Sequence, residues 1–241
     1  MARADFLTHT PIAHRGLHNG HDAPENSLKA FQRAVDGKFL IELDIHIIKS
    51  GEVVVFHDDN LRRICGIDKD LKDCTFTEIR ELNLKHTHER IPLLSEALAV
   101  INGKVPILIE LKTDQKAGKL EAAALDILKR YKGKYAIQSF NPLSLRWLRK
   151  NAPHIVRGQL ACDFSKAKKG PIFCKRALKN LRFYPIAQPD FISYDFHALP
   201  NARVAKLRAQ GTPVLGWTVK KVSESQEALK YCDNLICEEI L

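Results

Sequence analysis

The chain has 241 residues, of which 45% are hydrophobic and 27% are charged, a composition typical of a globular protein with a full apolar core. No run of about 18 apolar residues occurs, which excludes a transmembrane span and argues against stable membrane insertion. The formal net charge is +10. A basic surface attracts anions such as phosphate esters, nucleic acids or acidic lipids, but it is equally compatible with a solvated surface that has no specific partner.

Three further features bear on location and partners. The first eleven residues contain Asp5 and no apolar core long enough for a signal peptide, so we expect a cytoplasmic protein. None of the six cysteines forms a CxxC pair, which favours free thiols over disulfides, and no Cys/His pair has zinc-ligand spacing. The densest basic segment, residues 165–182, is typical of an amphipathic helix and lacks the fingerprint of a nucleic-acid module, so no nucleic-acid partner is expected.

Short apolar runs alternate with helical patterns along the chain. Eight strands are predicted, at residues 11–15, 39–47, 105–112, 135–139, 155–161, 190–194, 213–219 and 234–238. Helices are predicted between them, at residues 27–36, 94–102, 118–131, 141–151, 200–211 and 223–232. This alternation predicts an α/β fold, a (β/α)8 TIM-type barrel. A doubly wound open sheet uses the same alternation, but the glycine-rich phosphate turn expected after its first strand is missing.

The alternation is interrupted after the second strand. An extra short strand is predicted at residues 52–57, and only one helix candidate, residues 75–84, lies between it and Pro92. We therefore predict a single domain over residues 1–241 with a small insertion at about residues 57–92, packed near the mouth of the barrel.

Acidic residues stand within two of the apolar strands. Glu42 and Asp44 are two residues apart, so both point to the same side of the strand, and Glu110 lies in a similar position two strands later. Three converging carboxylates suit a hard cation such as Mg²⁺ or Ca²⁺, with Lys112 as a fixed positive charge beside it. The alternative is a structural salt-bridge cluster of Lys112 with Asp44 and Glu110.

Two histidines follow strands in positions where they can reach the same site. His14 and Arg15 lie at the end of the first strand, where Gly16 breaks the chain direction. Arginine suits phosphate binding, and histidine suits proton transfer. His57 ends the extra strand and precedes Asp58. Two histidines beside a bound cation form a plausible acid/base pair for phosphodiester cleavage, although either one alone is more often structural.

The motif "PEN", residues 24–26, precedes the first helix. One interpretation is a helix start, with Asn26 or Ser27 as the N-cap. The other is a role for Glu25 at the site.

These motifs together resemble a known family. "AHRG", "PENS", "ELDI", "VVVFHDDNL", "RIPLLSEAL" and "IELK" occur in the order found in glycerophosphodiester phosphodiesterases, and "SF" and "GWTV" continue the resemblance after residue 140. The resemblance implies a (β/α)8 barrel with a small insertion after the second strand. It also implies hydrolysis of glycerophosphodiesters to glycerol 3-phosphate and an alcohol, a divalent cation, and a place in lipid and glycerol metabolism.

The resemblance also implies roles for individual residues. These are the acid/base pair His14 and His57, the phosphate- or substrate-binding Arg15, Lys112, Phe140 and Trp217, the metal ligands Glu42, Asp44 and Glu110, and Glu25 as a possible additional residue at the edge of the metal site. His46 occupies a variable family position and receives no role. We favour His14 as the base and His57 as the acid, and both water and a neighbouring substrate hydroxyl are candidate nucleophiles.

Other functions are compatible with parts of this pattern. A lysophospholipase D or sphingomyelinase D-like enzyme resembles the same active-site layout, but the aromatic content of 7% argues mildly against a lipid-binding lip. A non-catalytic ligand-binding barrel would be indicated by loss of a metal ligand or histidine, and none is lost. A nucleic-acid binder would explain the charge but not the acidic strand. The preferred alcohol, the choice between Mg²⁺ and Ca²⁺, and the oligomeric state are left open.

Overall fold

The structure is a computed structural model that describes residues 3–113, 116–164 and 172–238. The predicted strands are present, each bounded within two residues of its expected ends. The strands are β1 (Ile12–Ala13), β2 (Leu40–Ile47), β3 (Val53–Val55), β4 (Ile107–Leu111), β5 (Tyr135–Ser139), β6 (Val156–Ala161), β7 (Phe191–Asp195), β8 (Val214–Val219) and β9 (Asn234–Cys237).

Helices separate most of these strands. They are α1 (Leu28–Asp36), α2 (Arg62–Cys65), α3 (Phe76–Arg80), α4 (Leu94–Ile101), α5 (Lys119–Leu128), α6 (Pro142–Asn151), α7 (Ile172–Lys179), α8 (Tyr184–Ala187), α9 (Ala202–Ala209) and α10 (Val222–Leu229). Of the basic segment predicted as an amphipathic helix, residues 165–171 lie outside the described residues, and α7 occupies part of the remainder.

The chain divides into two compact units, and the first in sequence is Ala13–Tyr135. Within it β2 pairs in parallel with β4, and the extra strand β3 pairs antiparallel with β2. Helix α1 begins after Ser27, whose side chain accepts a hydrogen bond from the Ala30 amide, so Ser27 is the N-cap that the sequence left undecided. The side chain of Asn26 is therefore not the cap and lies free of the first turn of α1.

The insertion, residues 57–92, contains α2 and α3 and has an apolar core shared with the strand residues before it. Its buried members are Ile48, Val54, Phe56, Leu61, Ile64, Leu71, Cys74, Ile79, Leu84 and Ile91. Helix α3 is closed by reciprocal bonds between Thr75 and Glu78. Ile64 of the short helix α2 belongs to this cluster. Its burial anchors α2, from which polar side chains project.

The second unit consists of Met1–Ile12 and Ala136–Leu241. Its strands β5, β6, β7, β8 and β9 pair in parallel, each with the next in the chain. Asn234 ties the N-terminal segment to β9, because its side-chain amide donates to the carbonyl oxygens of Leu7 and Thr10. A buried cluster that includes Ile192 and Tyr194 packs against the helices of this unit.

Parallel strands alternating with helices place the chain in the predicted class, the (β/α)8 TIM-type barrel, with the small insertion following β2. The open-sheet alternative is thereby set aside. None of the helices among the described residues is long and apolar enough to cross a membrane.

Substitution of Gly16 tests whether the turn after β1 needs a glycine. Its φ of +78° favours glycine, and an added Cβ would lie 2.9 Å from the Ala30 backbone carbon and from Phe31 Cδ1. Gly16→Ala should lower the free energy of unfolding by about 1–2 kcal/mol for the left-handed backbone and by about 1–3 kcal/mol for overpacking. Denaturant titration measures this loss.

Gly20→Ala is the matched control. Gly20 has a similar φ of +74°, but its added Cβ would meet no atom of the described residues within 4 Å. Only the backbone cost should remain there. Equal losses in the two variants would show that the close approach of Gly16 to α1 is unimportant.

Candidate active site

Three buried carboxylates form the centre of the site. Asp44 on β2 and Glu110 on β4 are directly paired across the parallel ladder, and Glu42 lies two residues before Asp44 on the same side of β2. Their side chains offer oxygen atoms that all lie within 4.8 Å of one another. Glu42, Asp44 and Glu110 are 2%, 1% and 7% exposed, so their mutual repulsion is not relieved by bulk water.

Cationic and amide groups surround this cluster. The Lys112 ammonium lies 3.0 Å from Asp44 Oδ1 and 2.6 Å from Glu110 Oε1. The backbone amide of Arg15 donates to Glu42 Oε2 at 3.0 Å, and its Nε lies 3.5 Å from Asp44 Oδ2. The Asn26 side-chain amide donates to Asp44 Oδ2 at 2.9 Å. Each carboxylate therefore has at least one donor or cation, and Asp44 and Glu110 share Lys112.

These contacts divide the carboxyl groups by pKa. Burial raises the pKa of Glu42 well above its usual range, and the charges of Asp44 and Glu110 raise it further. Burial also raises the pKa of Glu110, to about 7, against the opposing charge of Lys112. Burial acts in the same direction on Asp44, but the charges of Lys112, His57 and Arg15 outweigh it and lower its pKa. When all three carboxyl groups are ionised, their negative charge therefore exceeds the single positive charge of Lys112.

The donor set fits a divalent hard cation. Carboxylate oxygens are the ligands that Mg²⁺ and Ca²⁺ prefer, and three of them converge here from rigid strands. A cation at this point would oppose both the burial and the mutual repulsion that raise the pKa of Glu42 and Glu110. Lys112 also forms the ion pairs of the alternative salt-bridge cluster, with Asp44 and Glu110. The geometry is therefore compatible with both a metal site and a salt-bridge cluster.

The two histidines lie beside the carboxylates. His14 occupies the turn after β1 and is half-buried, and its charge contributes to lowering the pKa of Asp44. His57 follows β3, and its Nδ1 lies 2.6 Å from Asp58 Oδ1. Burial lowers the pKa of His57, which favours the neutral ring at neutral pH. His46, left without a role by the sequence, places Nε2 3.2 Å from the His57 carbonyl oxygen.

Glu25 lies between two guanidinium groups. Its Oε1 accepts a hydrogen bond of 2.6 Å from Arg15, and both of its oxygens accept bonds from Arg63 of the insertion, at 2.7 and 2.8 Å. Burial opposes its ionisation, but the bonds from Arg63 and the charges of both arginines lower its pKa to about 2. Glu25 therefore holds Arg15 in place, and it is not among the clustered carboxylates.

The aromatic residues predicted to bind substrate belong to the second unit. Phe140 follows β5, and its ring packs edge-on against Trp217 of β8, with centroids 5.6 Å apart. Phe164 also packs edge-on against Phe140, with ring centroids 6.0 Å apart. The Trp217 indole N–H is buried and meets no hydrogen-bond acceptor among the described residues.

Sequence reasoning missed three contributors. Asn26 was weighed only as a helix cap, yet its side chain donates to Asp44. Asp58 was noted only as the neighbour of His57. Arg63 carries no local signal in the sequence, because an arginine on a short helix is usually a solvated surface residue. The pairing of Arg63 with Glu25 spans 38 positions, so only the folded chain reveals it.

Comparison with known proteins places this site in a family. The sequence profile of the glycerophosphoryl diester phosphodiesterase family matches residues 14–237, and the chain therefore belongs to that family of hydrolases. A glycerophosphodiester phosphodiesterase of Caldanaerobacter subterraneus subsp. tengcongensis is 30% identical over 231 residues, covering 91% of this chain and 89% of the relative.

Two other comparisons add detail. A protein of Rattus norvegicus named lysophospholipase D is 34% identical over 134 residues, covering 50% of this chain and 41% of that protein. The solved structure of an Oleispira antarctica phosphodiesterase, in complex with the product sn-glycerol-3-phosphate, superposes with a TM-score of 0.82 at 24% identity. It covers 98% of this chain and 95% of its own, and this likeness shows the shared fold.

Glu25 offers a pH-dependent test of the arginine pairing. Because its pKa falls from 4.5 to about 2 on folding, its contribution to stability is present above pH 4.5 and is lost as the pH falls towards 2. In EDTA, Glu25→Gln should cost about 2 kcal/mol of unfolding free energy at pH 7, and less as the pH falls below 4.5.

Denaturant titrations of wild type and variant between pH 7 and pH 3.5 measure this difference. Glu81→Gln, at a side chain that is 80% exposed, is the control and should change little at any pH. A Glu25→Gln cost that does not vary with pH would contradict the pairing.

Proposed function

We propose that this chain hydrolyses glycerophosphodiesters to sn-glycerol 3-phosphate and an alcohol, with a divalent cation held by Glu42, Asp44 and Glu110. The observation that supports this proposal most directly is the convergence of these three buried carboxylates beside His57 and Arg15. Membership of the phosphodiesterase family agrees with it.

Mg²⁺ and Ca²⁺ are both candidates for the cation. When bound, such a cation offsets the negative charge that develops on the non-bridging phosphate oxygens. Arg15 and Lys112 supply further positive charge for the same oxygens. Arg15 is held by Glu25, and Lys112, which follows β4, is held by Asp44 and Glu110, so neither needs to reorganise when the phosphate charge grows.

The histidines supply the proton transfers. His14 takes a proton from the nucleophile, which is water or a neighbouring hydroxyl of the substrate. His57 gives a proton to the departing alkoxide oxygen as its bond to phosphorus breaks. Burial lowers the pKa of His57, and the nearby charge of Asp44 opposes that shift by favouring the protonated ring.

Several finer features of the protein remain predictions. Phe140 and Trp217 are proposed to contact the substrate, with the Trp217 indole N–H as a free donor among the described residues. The single-domain organisation, the cytoplasmic location, the role in lipid and glycerol metabolism and the absence of a nucleic-acid partner also stay predictions.

A lysophospholipase D is the second candidate, favoured by the likeness to the relative of that name. The two activities share the phosphodiester and differ in the acyl chain of the substrate. Release of choline from lysophosphatidylcholine, compared with release from glycerophosphocholine, separates them.

The proposed hydrolysis can be measured directly. Purified protein should release glycerol 3-phosphate from glycerophosphocholine, -ethanolamine, -glycerol or -inositol in Mg²⁺ or Ca²⁺ and should stop in EDTA. Glu42→Gln should lower kcat/KM by more than about tenfold, and His14→Ala or His57→Ala by about 10²- to 10⁴-fold. Glu227→Gln, at an exposed side chain of α10, is the control. Activity undiminished by EDTA would contradict metal dependence.

Lys112 distinguishes a metal site from a salt-bridge cluster. Lys112→Met removes one positive charge from the cluster, so Ca²⁺ or Mg²⁺ should bind at least as tightly as in wild type by calorimetry. Activity should fall by about 10²-fold, because a charge that stabilises the transition state is lost. Without metal the variant leaves Glu110 without its cation and Asp44 with only Arg15 and Asn26, which should cost about 3–5 kcal/mol, and added Ca²⁺ should restore its Tm.

Lys129→Met removes an exposed ion pair with Asp126 and is the matched control. It should change neither metal binding nor activity. If neither wild type nor Lys112→Met binds a divalent cation, the cluster is a salt bridge and the proposed metal site is wrong.

A further inference from the structure

Arg63 on α2 makes an unusual number of contacts for a surface residue. Its guanidinium donates two hydrogen bonds to Asp58, at 2.6 and 2.9 Å, and two to Glu25, at 2.7 and 2.8 Å. Both carboxylates are more deeply buried than Arg63 itself. Paired bonds of this kind fix the planar guanidinium in one orientation and hold both partners against it.

Asp58, held by Arg63, in turn fixes the orientation of the His57 ring. The oxygen of Asp58 that lies 2.6 Å from His57 Nδ1 also accepts a bond from Arg63. An ionised carboxylate can only accept a hydrogen bond, so Nδ1 carries the proton and Nε2 is the nitrogen that faces away from Asp58. The His57 main chain is held separately, since Nε2 of His46 lies 3.2 Å from its carbonyl oxygen.

We propose that Asp58 and Arg63 are positioning residues that fix His57 as the Nδ1–H tautomer and leave Nε2 to exchange the proton with the reacting oxygen. This inference rests on the proposed function. In the proton transfer, Nε2–H passes its proton to the alkoxide as the phosphorus–oxygen bond breaks, and Nδ1 keeps its proton throughout. The Asp58 charge stabilises the doubly protonated ring before the transfer.

The same contacts connect the insertion to both ends of the proposed site. Glu25 joins Arg63 to Arg15, so a single chain of charges runs from the phosphate-binding arginine to the proton-transferring histidine. The insertion supplies the central guanidinium of this chain. A shift of α2 would therefore disturb both ends of the site together.

A double-mutant cycle tests the proposal. In the wild-type background with Mg²⁺, Asp58→Asn should lower kcat on glycerophosphocholine by about 10²-fold or more while KM changes little. Arg63→Gln should cause a smaller loss, and Arg63→Lys should recover only part of it, because an ammonium lacks the planar fork. Arg62→Gln is the matched control, since Arg62 is adjacent on α2 and pairs with Asp68.

In a His57→Ala background, Asp58→Asn should cause little further loss, since it acts through the missing ring. Arg63→Gln should keep only the part of its loss that it exerts through Glu25 and Arg15. Losses of the same size in both backgrounds would show a general structural effect and overturn the proposal. An active wild type whose Asp58 and Arg63 variants are unimpaired would also overturn it, while leaving the proposed function intact. An inactive wild type would instead refute the proposed function.

The ring tautomer is a readout independent of activity. Long-range ¹⁵N–¹H correlation spectra of the wild-type protein with Mg²⁺ should show His57 protonated at Nδ1. Asp58→Asn should lose this preference, and Arg62→Gln should keep it. A wild-type ring protonated only at Nε2 would contradict the proposal, even if the variants proved too unstable to assay.

Discussion

The repulsion among three carboxylates buried on adjacent strands is the constraint on which the rest of the site depends. Charges this close in a medium of low polarity are costly unless cations or donors oppose them. The chain meets that requirement in part, with Lys112 against two of the carboxylates and the Arg15 amide against Glu42. Burial and the charges of neighbouring carboxylates still raise the pKa of Glu42, and raise that of Glu110 to about 7, against the charges of the nearby cations.

A second layer of charges organises the groups around this centre. Glu25 and Asp58 are both held by Arg63, and through them Arg15 and His57 are held as well. Surface ion pairs usually contribute little to stability, but a network that fixes functional side chains acts through their geometry instead. The insertion thus supplies His57, Asp58 and Arg63, and it rests on an apolar cluster that it shares with the strand residues before it.

The sequence predicted the barrel and the carboxylate cluster because both arise from short-range periodicity. Alternation along β2 places Glu42 and Asp44 on one side, and the apolar run before Glu110 predicts a neighbouring parallel strand. Contacts distant in sequence could not be predicted in this way. Asn26 was expected to cap a helix because a cap needs only local sequence, whereas its bond to Asp44 depends on how α1 meets β2. Arg63 has no local signal at all.

The most direct measurement is anomalous diffraction from crystals of the protein soaked in Mn²⁺, a substitute for Mg²⁺ that can be identified by its scattering. The account predicts one strong peak within bonding distance of oxygen atoms from Glu42, Asp44 and Glu110. A map without a peak at this cluster, with Lys112 still bridging Asp44 and Glu110, would contradict it and leave a salt-bridged barrel without a metal centre.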